Sequence, residues 1–275
     1  MSVAAGKLDR PGGSLHFEIL DAIPPWAAEA PLIIFHHGIG ATAEIWAEWL
    51  PALLDRYRVA RFDMLGFGRS GVPGPGFAWS LEGLMEDALA VARAAGAERF
   101  HFVGESVGGT VGILLASRRA EALLSLTVSN ASHRGGSIQR AQEWRRFIRA
   151  NGMARWAEMM TPLRLDRDRF PEAQYRWFEA TQAQASPDSV LDLADVLIGS
   201  DLTAELGRVR APTLLLAPGR SPFVPLAVME AMHAGIAGSE LVIFPEARHG
   251  LPCSHGAACG RALRTFLDRR AGQPA

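Results

Sequence analysis

Six short apolar runs, separated by stretches of helical periodicity, constrain this chain more than any other feature. Leu32-Ile-Ile-Phe35, Arg58-Val-Ala-Arg-Phe62, Phe100-His-Phe-Val103, Leu124-Ser-Leu-Thr-Val-Ser129, Thr213-Leu-Leu-Leu-Ala217 and Leu241-Val-Ile-Phe244 all have strand length. Between them, apolar residues recur at helical spacing. Ile45, Trp46, Trp49, Leu50, Leu53 and Leu54 mark a helix over about 43–56, and further helices are expected near 80–95, after Ser106, near 226–234 and over about 257–269. An alternating strand, Leu15 to Leu20, precedes them across a loop containing Pro24, Pro25 and Pro31. Strands alternating with helices imply an α/β fold with a mostly parallel sheet covered on both faces.

The rhythm breaks between His133 and Gly207, where no convincing strand appears but Trp144, Phe147, Trp156, Met159, Met160, Trp177 and Phe178 fall at helical spacing. The expected organisation is therefore a core of residues 1–132 and 208–275 with a helical cap over 133–207. A chain of 275 residues, 48% hydrophobic, is long enough for one large core with such an insertion. A net charge of -1, with basic and acidic residues interspersed, gives no electrostatic case for nucleic acid or an anionic membrane. No stretch has the pattern of a signal peptide or a membrane span, so the cytoplasm is the expected location. Cys253 and Cys259 are too few for a disulfide framework or a paired-cysteine metal site, and reduced cysteines on or before a helix are expected. The frayed end expected at Gly272-Gln-Pro-Ala275 completes the reading.

Chemistry enters at Gly104-Glu-Ser-Val-Gly108, a G-x-S-x-G motif placed after a strand and before a helix. A sharp turn there exposes the Ser106 hydroxyl, small residues at Gly104 and Gly108 permit close chain approach, and the helix N-terminus favours developing negative charge. With this motif the chain resembles an α/β-hydrolase over nearly its whole length. Phe35-His-His-Gly-Ile-Gly40 resembles the family's oxyanion segment, which implies backbone N–H donors at Ile39 and Val107. Asp63-Met-Leu-Gly-Phe-Gly-Arg-Ser70 resembles a structural turn of the family. Pro245-Glu-Ala-Arg-His-Gly250 resembles the loop that delivers the catalytic base, which makes His249 that base.

The catalytic acid does not follow the pattern. Where the resemblance implies an aspartate after the strand Thr213 to Ala217, the loop Gly219-Arg-Ser-Pro-Phe-Val-Pro225 carries Ser221. The alternative family position, just after the strand that follows the nucleophile helix, carries Asn130. Three answers stay open. Asn130 or Ser221 holds His249 as a neutral orienter; a carboxylate from elsewhere, Glu246 or Glu105, reaches it; or the protein no longer hydrolyses.

The cap segment resembles that of 3-oxoadipate enol-lactonases in the order of Ser129-Asn-Ala-Ser-His-Arg-Gly-Gly136, Trp144, Asn151-Gly-Met153 and Arg176-Trp-Phe178. The expected reaction is hydrolysis of a small ester or lactone through a Ser106 acyl-enzyme, with no metal or organic cofactor implied. His37, Arg134, Trp144, Trp156 and Trp177 are the expected substrate-binding residues, with Arg140, Arg145 and Arg146 as further cations at the cap entrance. The expected partner is a small molecule, and a homodimer stays open. Competing readings are a non-hydrolytic enzyme of the same fold, such as a carbon–carbon bond hydrolase, a lyase or a cofactor-free oxygenase, and a non-catalytic ligand binder.

Overall fold

A computed structural model describes residues 1–27, 30–140 and 143–271, so the end at Gly272–Ala275 lies outside the described residues. The strands are β1 (Ser2–Arg10), β2 (Gly13–Asp21), β3 (Leu32–His36), β4 (Arg58–Phe62), β5 (Phe100–Glu105), β6 (Leu123–Ser129), β7 (Thr213–Pro218) and β8 (Glu240–Phe244). They form one sheet in the order β1-β2-β4-β3-β5-β6-β7-β8. From β4 to β8 every pairing is parallel, while β1 and β2 are antiparallel additions at one edge. The six apolar runs are thus β3 to β8. β1 is the strand the sequence conceals: most of its side chains are exposed, so no buried face imposes a readable period.

The parallel strands are apolar at successive positions because both faces are covered. Ile34, Phe102, Leu126 and Leu215 pack on one side with residues of α1 (Leu81–Ala94), α2 (Val107–Arg118) and α6 (Leu226–Gly235). Ile33, Phe35, Val103 and Leu214 pack on the other with Trp46, Trp49, Leu263 and Phe266, the last two from α8 (Gly256–Ala271). Trp46 and Trp49 belong to the helix expected over 43–56, which is a 3-10 helix at Ala43–Ala52. Pro51 lies within it and has no N–H to give an α-helical ladder.

Between β6 and β7 run α3 (Trp144–Arg164), α4 (Glu172–Ala183) and α5 (Pro187–Ile198), with α3 interrupted at Gly152. No named strand interrupts them among the described residues; the only extended pairing there is an isolated bridge between Arg134 and Asp201. Short α7 (Leu251–Ser254) precedes α8. Among the described residues no helix is long and apolar enough to cross a membrane. Ile39, Ser106, Asn130, Ser221 and His249 all follow the carboxyl ends of parallel strands, the edge where ligands bind in open α/β sheets.

Candidate active site

Ser106 sits between β5 and α2 with φ 54° and ψ -119°. A non-glycine residue in this region costs about 1–3 kcal/mol, so the turn is held by its surroundings. Ser106 N donates to Ser129 O at 3.0 Å and Thr110 N donates to Ser106 O at 3.1 Å. The two flanking glycines are required by space: a Cβ on Gly104 would lie 2.2 Å from Gly108 O, and one on Gly108 would lie 2.3 Å from His36 O. Val107 begins α2, so its N–H belongs to the first turn, which has no intrahelical acceptor.

His249 follows β8 on a loop fastened where Gly250 N donates to Arg164 O at 2.9 Å. Its ring is buried edge-on against Phe223, with centroids 5.0 Å apart. Burial, reinforced by the nearby Arg164 charge, pushes its pKa down to about 3, so the imidazole rests neutral. Ser221 Oγ stands 3.0 Å from His249 Nδ1. The same oxygen accepts from Phe223 N at 3.3 Å and from Val224 N at 3.1 Å. A hydroxyl oxygen has two acceptor positions, so with both filled its own proton points to Nδ1. The neutral ring then carries its proton on Nε2. Ser106 and His249 face the same cavity, and no hydrogen bond joins them among the described residues.

Asn130 occupies the second acid position, at φ 38°, but does not touch the imidazole. Its Nδ2 donates to His249 O at 2.5 Å and to Glu105 Oε1 at 2.8 Å, while Oδ1 accepts from Ser129 Oγ at 2.6 Å. It anchors the main chain of His249 rather than the ring. Glu105 Oε1 lies 3.9 Å from His249 Nε2, outside hydrogen-bond range and on the opposite side of the ring from Nδ1. Burial pushes Glu105 up to about 7 against the opposing pull of the Arg164 charge, the Asn130 amide and the Gly38 N–H. Glu246 is exposed and paired with Arg220 at 3.0 Å. Among the described residues, then, Ser221 is the side chain on Nδ1.

The cavity that both Ser106 and His249 line is walled by Ile39, Ile138, Trp144, Leu197 and Phe223. It is narrow, with space for about one or two waters. Trp144 is the one expected tryptophan in the wall. Trp156 lies behind it, fully buried with ring centroids 5.3 Å apart, and Trp177 lines a separate groove with Glu44, Gln174 and Cys253. His37 is also displaced from its expected role: Nδ1 donates to Gly38 O at 2.8 Å and Nε2 accepts from Met64 N at 2.9 Å, leaving neither for substrate. Arg134 is exposed and faces Asp201 at 3.9 Å. Arg140 and Arg146 are exposed as well, and Arg145 pairs with Asp195 and with Asp192.

The cation in the wall is Arg164, which the sequence reading passed over. Its signal was present: Trp156, Met160 and Arg164 form a buried i, i+4 stripe on α3, and an arginine continuing such a stripe needs a reason to be inside. Nη1 donates to Ile39 O at 2.9 Å and the guanidinium stacks 5.7 Å from the Trp156 ring, while Nε has no partner. Burial pushes Arg164 down to about 10, resisted by the Glu105 charge. Asp63, by contrast, takes the structural role expected of it, accepting from Ala43 N at 2.8 Å and Arg69 N at 2.9 Å.

A serine on a strained strand-to-helix elbow and a histidine after the last strand, both lining one cavity with Ile39 of the segment after β3, are the arrangement of an α/β-hydrolase. Residues 31–254 match the family model for the alpha/beta hydrolase fold, and the chain belongs to that family. It is 26% identical to "Putative carbamate hydrolase RutD" of Stutzerimonas stutzeri over 95% of this chain and 99% of the relative. The esterase of Thermogutta terrifontis, solved with malate bound, superposes with a TM-score of 0.84 at 25% identity, covering 97% of this chain and 99% of its own. The enol-lactonase of Burkholderia xenovorans LB400 gives a TM-score of 0.87 over 96% of this chain and 100% of its own, and at 23% identity it attests the shared fold.

Proposed function

We propose that the protein is a serine hydrolase that cleaves a small carboxylic ester or lactone. One observation carries this reading: Ser106, held at a strained elbow, shares a small and mostly apolar cavity with a buried, neutral His249. In the proposed cycle His249, once shifted to the tautomer with Nε2 free, takes the Ser106 proton on Nε2 as Oγ attacks the carbonyl carbon. The N–H groups of Ile39 and Val107 receive the oxyanion, His249 protonates the leaving oxygen, and water activated by the same imidazole releases the acyl group. Asn130 positions the His249 main chain, and Ser221 is the neutral orienter of its ring. The malate bound to the Thermogutta esterase is small, which agrees with the narrow cavity.

The segment 133–207 is proposed to act as the cap. It contributes Ile138, Trp144 and Leu197 to the wall, and since only one or two waters fit, substrate entry requires these helices or their side chains to move.

A second reading is favoured by the proton count at Ser221. With Nε2 protonated at rest, His249 is a hydrogen-bond donor to the cavity, which suits chemistry in which Ser106 binds and does not attack. One experiment separates the two: covalent labelling with a fluorophosphonate, located by peptide mass, for the parent protein and for Ser106→Ala and His249→Ala. Hydrolysis predicts a label on Ser106 that disappears in His249→Ala. A folded parent protein that takes no label overturns the hydrolase reading in favour of the second.

A further inference from the structure

We propose that Arg164 is the carboxylate-recognising group of the cavity, so that the ester or lactone cleaved at Ser106 carries a free carboxylate. The inference rests on the hydrolase reading for the reaction and on the structure for the binding group.

A guanidinium buried to this extent, 5% exposed, normally has its charge compensated by direct contact. Arg164 does not: among the described residues no carboxylate lies within ion-pair distance of it, Nη1 is bonded to a neutral carbonyl, and Nε is unpartnered. The other arginines considered for this role are exposed, and Arg145 has aspartate partners. Arg164 is also the one formally charged side chain in the wall, where the neighbouring surface is Ile138, Trp144, Leu197 and Phe223. A single charged donor in an apolar wall fixes a ligand's orientation, and a planar guanidinium with free donors matches a carboxylate. Fastened through Nη1 to Ile39 O, the cation is anchored to the oxyanion segment itself, so a carboxylate held there sets where the scissile carbonyl lies. The reaction balances as ordinary hydrolysis: an ester bearing a carboxylate, plus water, gives the alcohol, a dicarboxylate and one proton.

Arg164 also holds the site together, since its carbonyl receives Gly250 N and its side chain holds Ile39 O. A substitution there can disturb both loops, so the primary test uses the parent protein. Glutarate and succinate are titrated calorimetrically beside glutaramide and succinamide, and the same four compounds are assayed as inhibitors of p-nitrophenyl acetate turnover. The expected result is binding of the diacids at least about tenfold tighter than of the diamides, about 1.4 kcal/mol, with competitive inhibition in the same order. Arg164→Met is expected to erase the difference, and Arg164→Lys to retain part of it. Equal binding of diacids and diamides by a protein that turns over p-nitrophenyl acetate overturns the inference and leaves the hydrolase reading standing. A protein with neither label nor turnover overturns the hydrolase reading, and the calorimetric comparison then still decides whether Arg164 receives carboxylates.

Discussion

Ser221 Oγ stands 3.0 Å from His249 Nδ1 while accepting from two main-chain N–H groups, which aims its own proton at Nδ1, the reverse of what an aspartate does at that place. A carboxylate accepts the Nδ1 proton and leaves Nε2 free as a base, whereas this serine, its lone pairs taken by Phe223 N and Val224 N, leaves the proton on Nε2. In the proposed cycle each turnover must therefore begin from the unfavourable tautomer. Ser221→Asp should reverse this, because the carboxylate can receive the same two main-chain N–H groups and Nδ1–H together. Its kcat on p-nitrophenyl acetate should rise by about 10²–10⁴, the order of the penalty a trypsin-type site incurs for the wrong tautomer. A folded Ser221→Asp protein no faster than its parent would show that Ser221 is not what limits the base.

The pH profile should move with the same substitution. His249 is held at about 3 by burial and by the Arg164 charge, so the parent's kcat/KM should show no acid limb near the usual histidine value of 6.5. A new carboxylate on Nδ1 favours the imidazolium and should lift that limb toward neutrality. Rate measurements from pH 4.5 to 9 on both proteins test this. A parent limb near 6.5 that persists in Glu105→Gln, and so does not come from the neighbouring Glu105 raised to about 7, would mean that His249 is far better solvated than its buried position requires.

Asn130→Asp should not substitute for Ser221→Asp, although both place an aspartate where one is found in α/β-hydrolases. Asn130 donates to Glu105 Oε1 and to His249 O, and an ionised aspartate can donate to neither. It would also set a second carboxylate against Glu105, and two such groups in a dry site cannot both ionise at neutral pH. The expected cost is about 2–3 kcal/mol in urea unfolding, growing as pH rises, with activity reduced. A gain in kcat from this variant would place Asn130 in contact with the ring.

Much of this arrangement could be read from the sequence, and the part that could not has a physical pattern. Ser106, His249 and the strands before them were legible because a nucleophile elbow needs glycines at fixed offsets and a covered parallel strand needs continuous apolar residues. β1 was not, because Ser2–Arg10 is mostly exposed and a solvated edge strand leaves composition free. Ser221 and Asn130 were both legible as occupants of acid positions, but which of them meets Nδ1 depends on side-chain direction, and chain order does not encode that. Arg134 and Trp177 were legible as candidates through residue type and their place between β6 and β7, yet a turn or a helix points such residues outward as readily as inward. Arg164 was the converse case: one polar residue within an apolar stripe, whose burial alone reveals its importance.

Trp144 should limit acyl-chain length. With Phe223 it forms the aromatic part of the cavity wall, and it packs on Trp156 with centroids 5.3 Å apart and on Phe223 with centroids 6.1 Å apart. Trp144→Ala should lower stability by about 3–5 kcal/mol, as large-to-small changes in packed interiors do. It should also raise kcat/KM for p-nitrophenyl hexanoate relative to the acetate by about tenfold, the effect of burying roughly two of the four added methylenes at about 0.8 kcal/mol each. An unchanged ratio would place the acyl chain elsewhere.

Acid should destabilise the fold well before ordinary carboxylates titrate. Burial holds His36 and His249 at about 3 and His101 at about 4, while in the unfolded chain each titrates near 6.5. As pH falls below 6.5 the unfolded chain binds three protons that the fold refuses, so the stability these rings confer is full above 6.5 and is lost toward their folded values. Glu105 acts in the opposite sense. Raised to about 7 from an ordinary 4.5, it is protonated in the fold and ionised in the unfolded chain across the interval between those values, offsetting one proton there. Counted over these four groups the net is roughly two protons between pH 5 and 6, about 2.7 kcal/mol lost per pH unit, and the lowered His37, His133 and His255 act in the same direction. Below about 4.5 the Glu105 offset fades while folded His101, at about 4, begins to take its own proton, so the slope changes little. Urea unfolding at pH 7.5, 6.0 and 5.0 measures the slope directly. His101→Gln should flatten it by one proton without touching the site, because His101 meets Ser125 Oγ at 2.8 Å on β6, away from the cavity. Stability that stays level from pH 7.5 to 5.0 would mean that these imidazoles are solvated in the native protein and that the neutral His249 required by the proposed mechanism is not secured by burial.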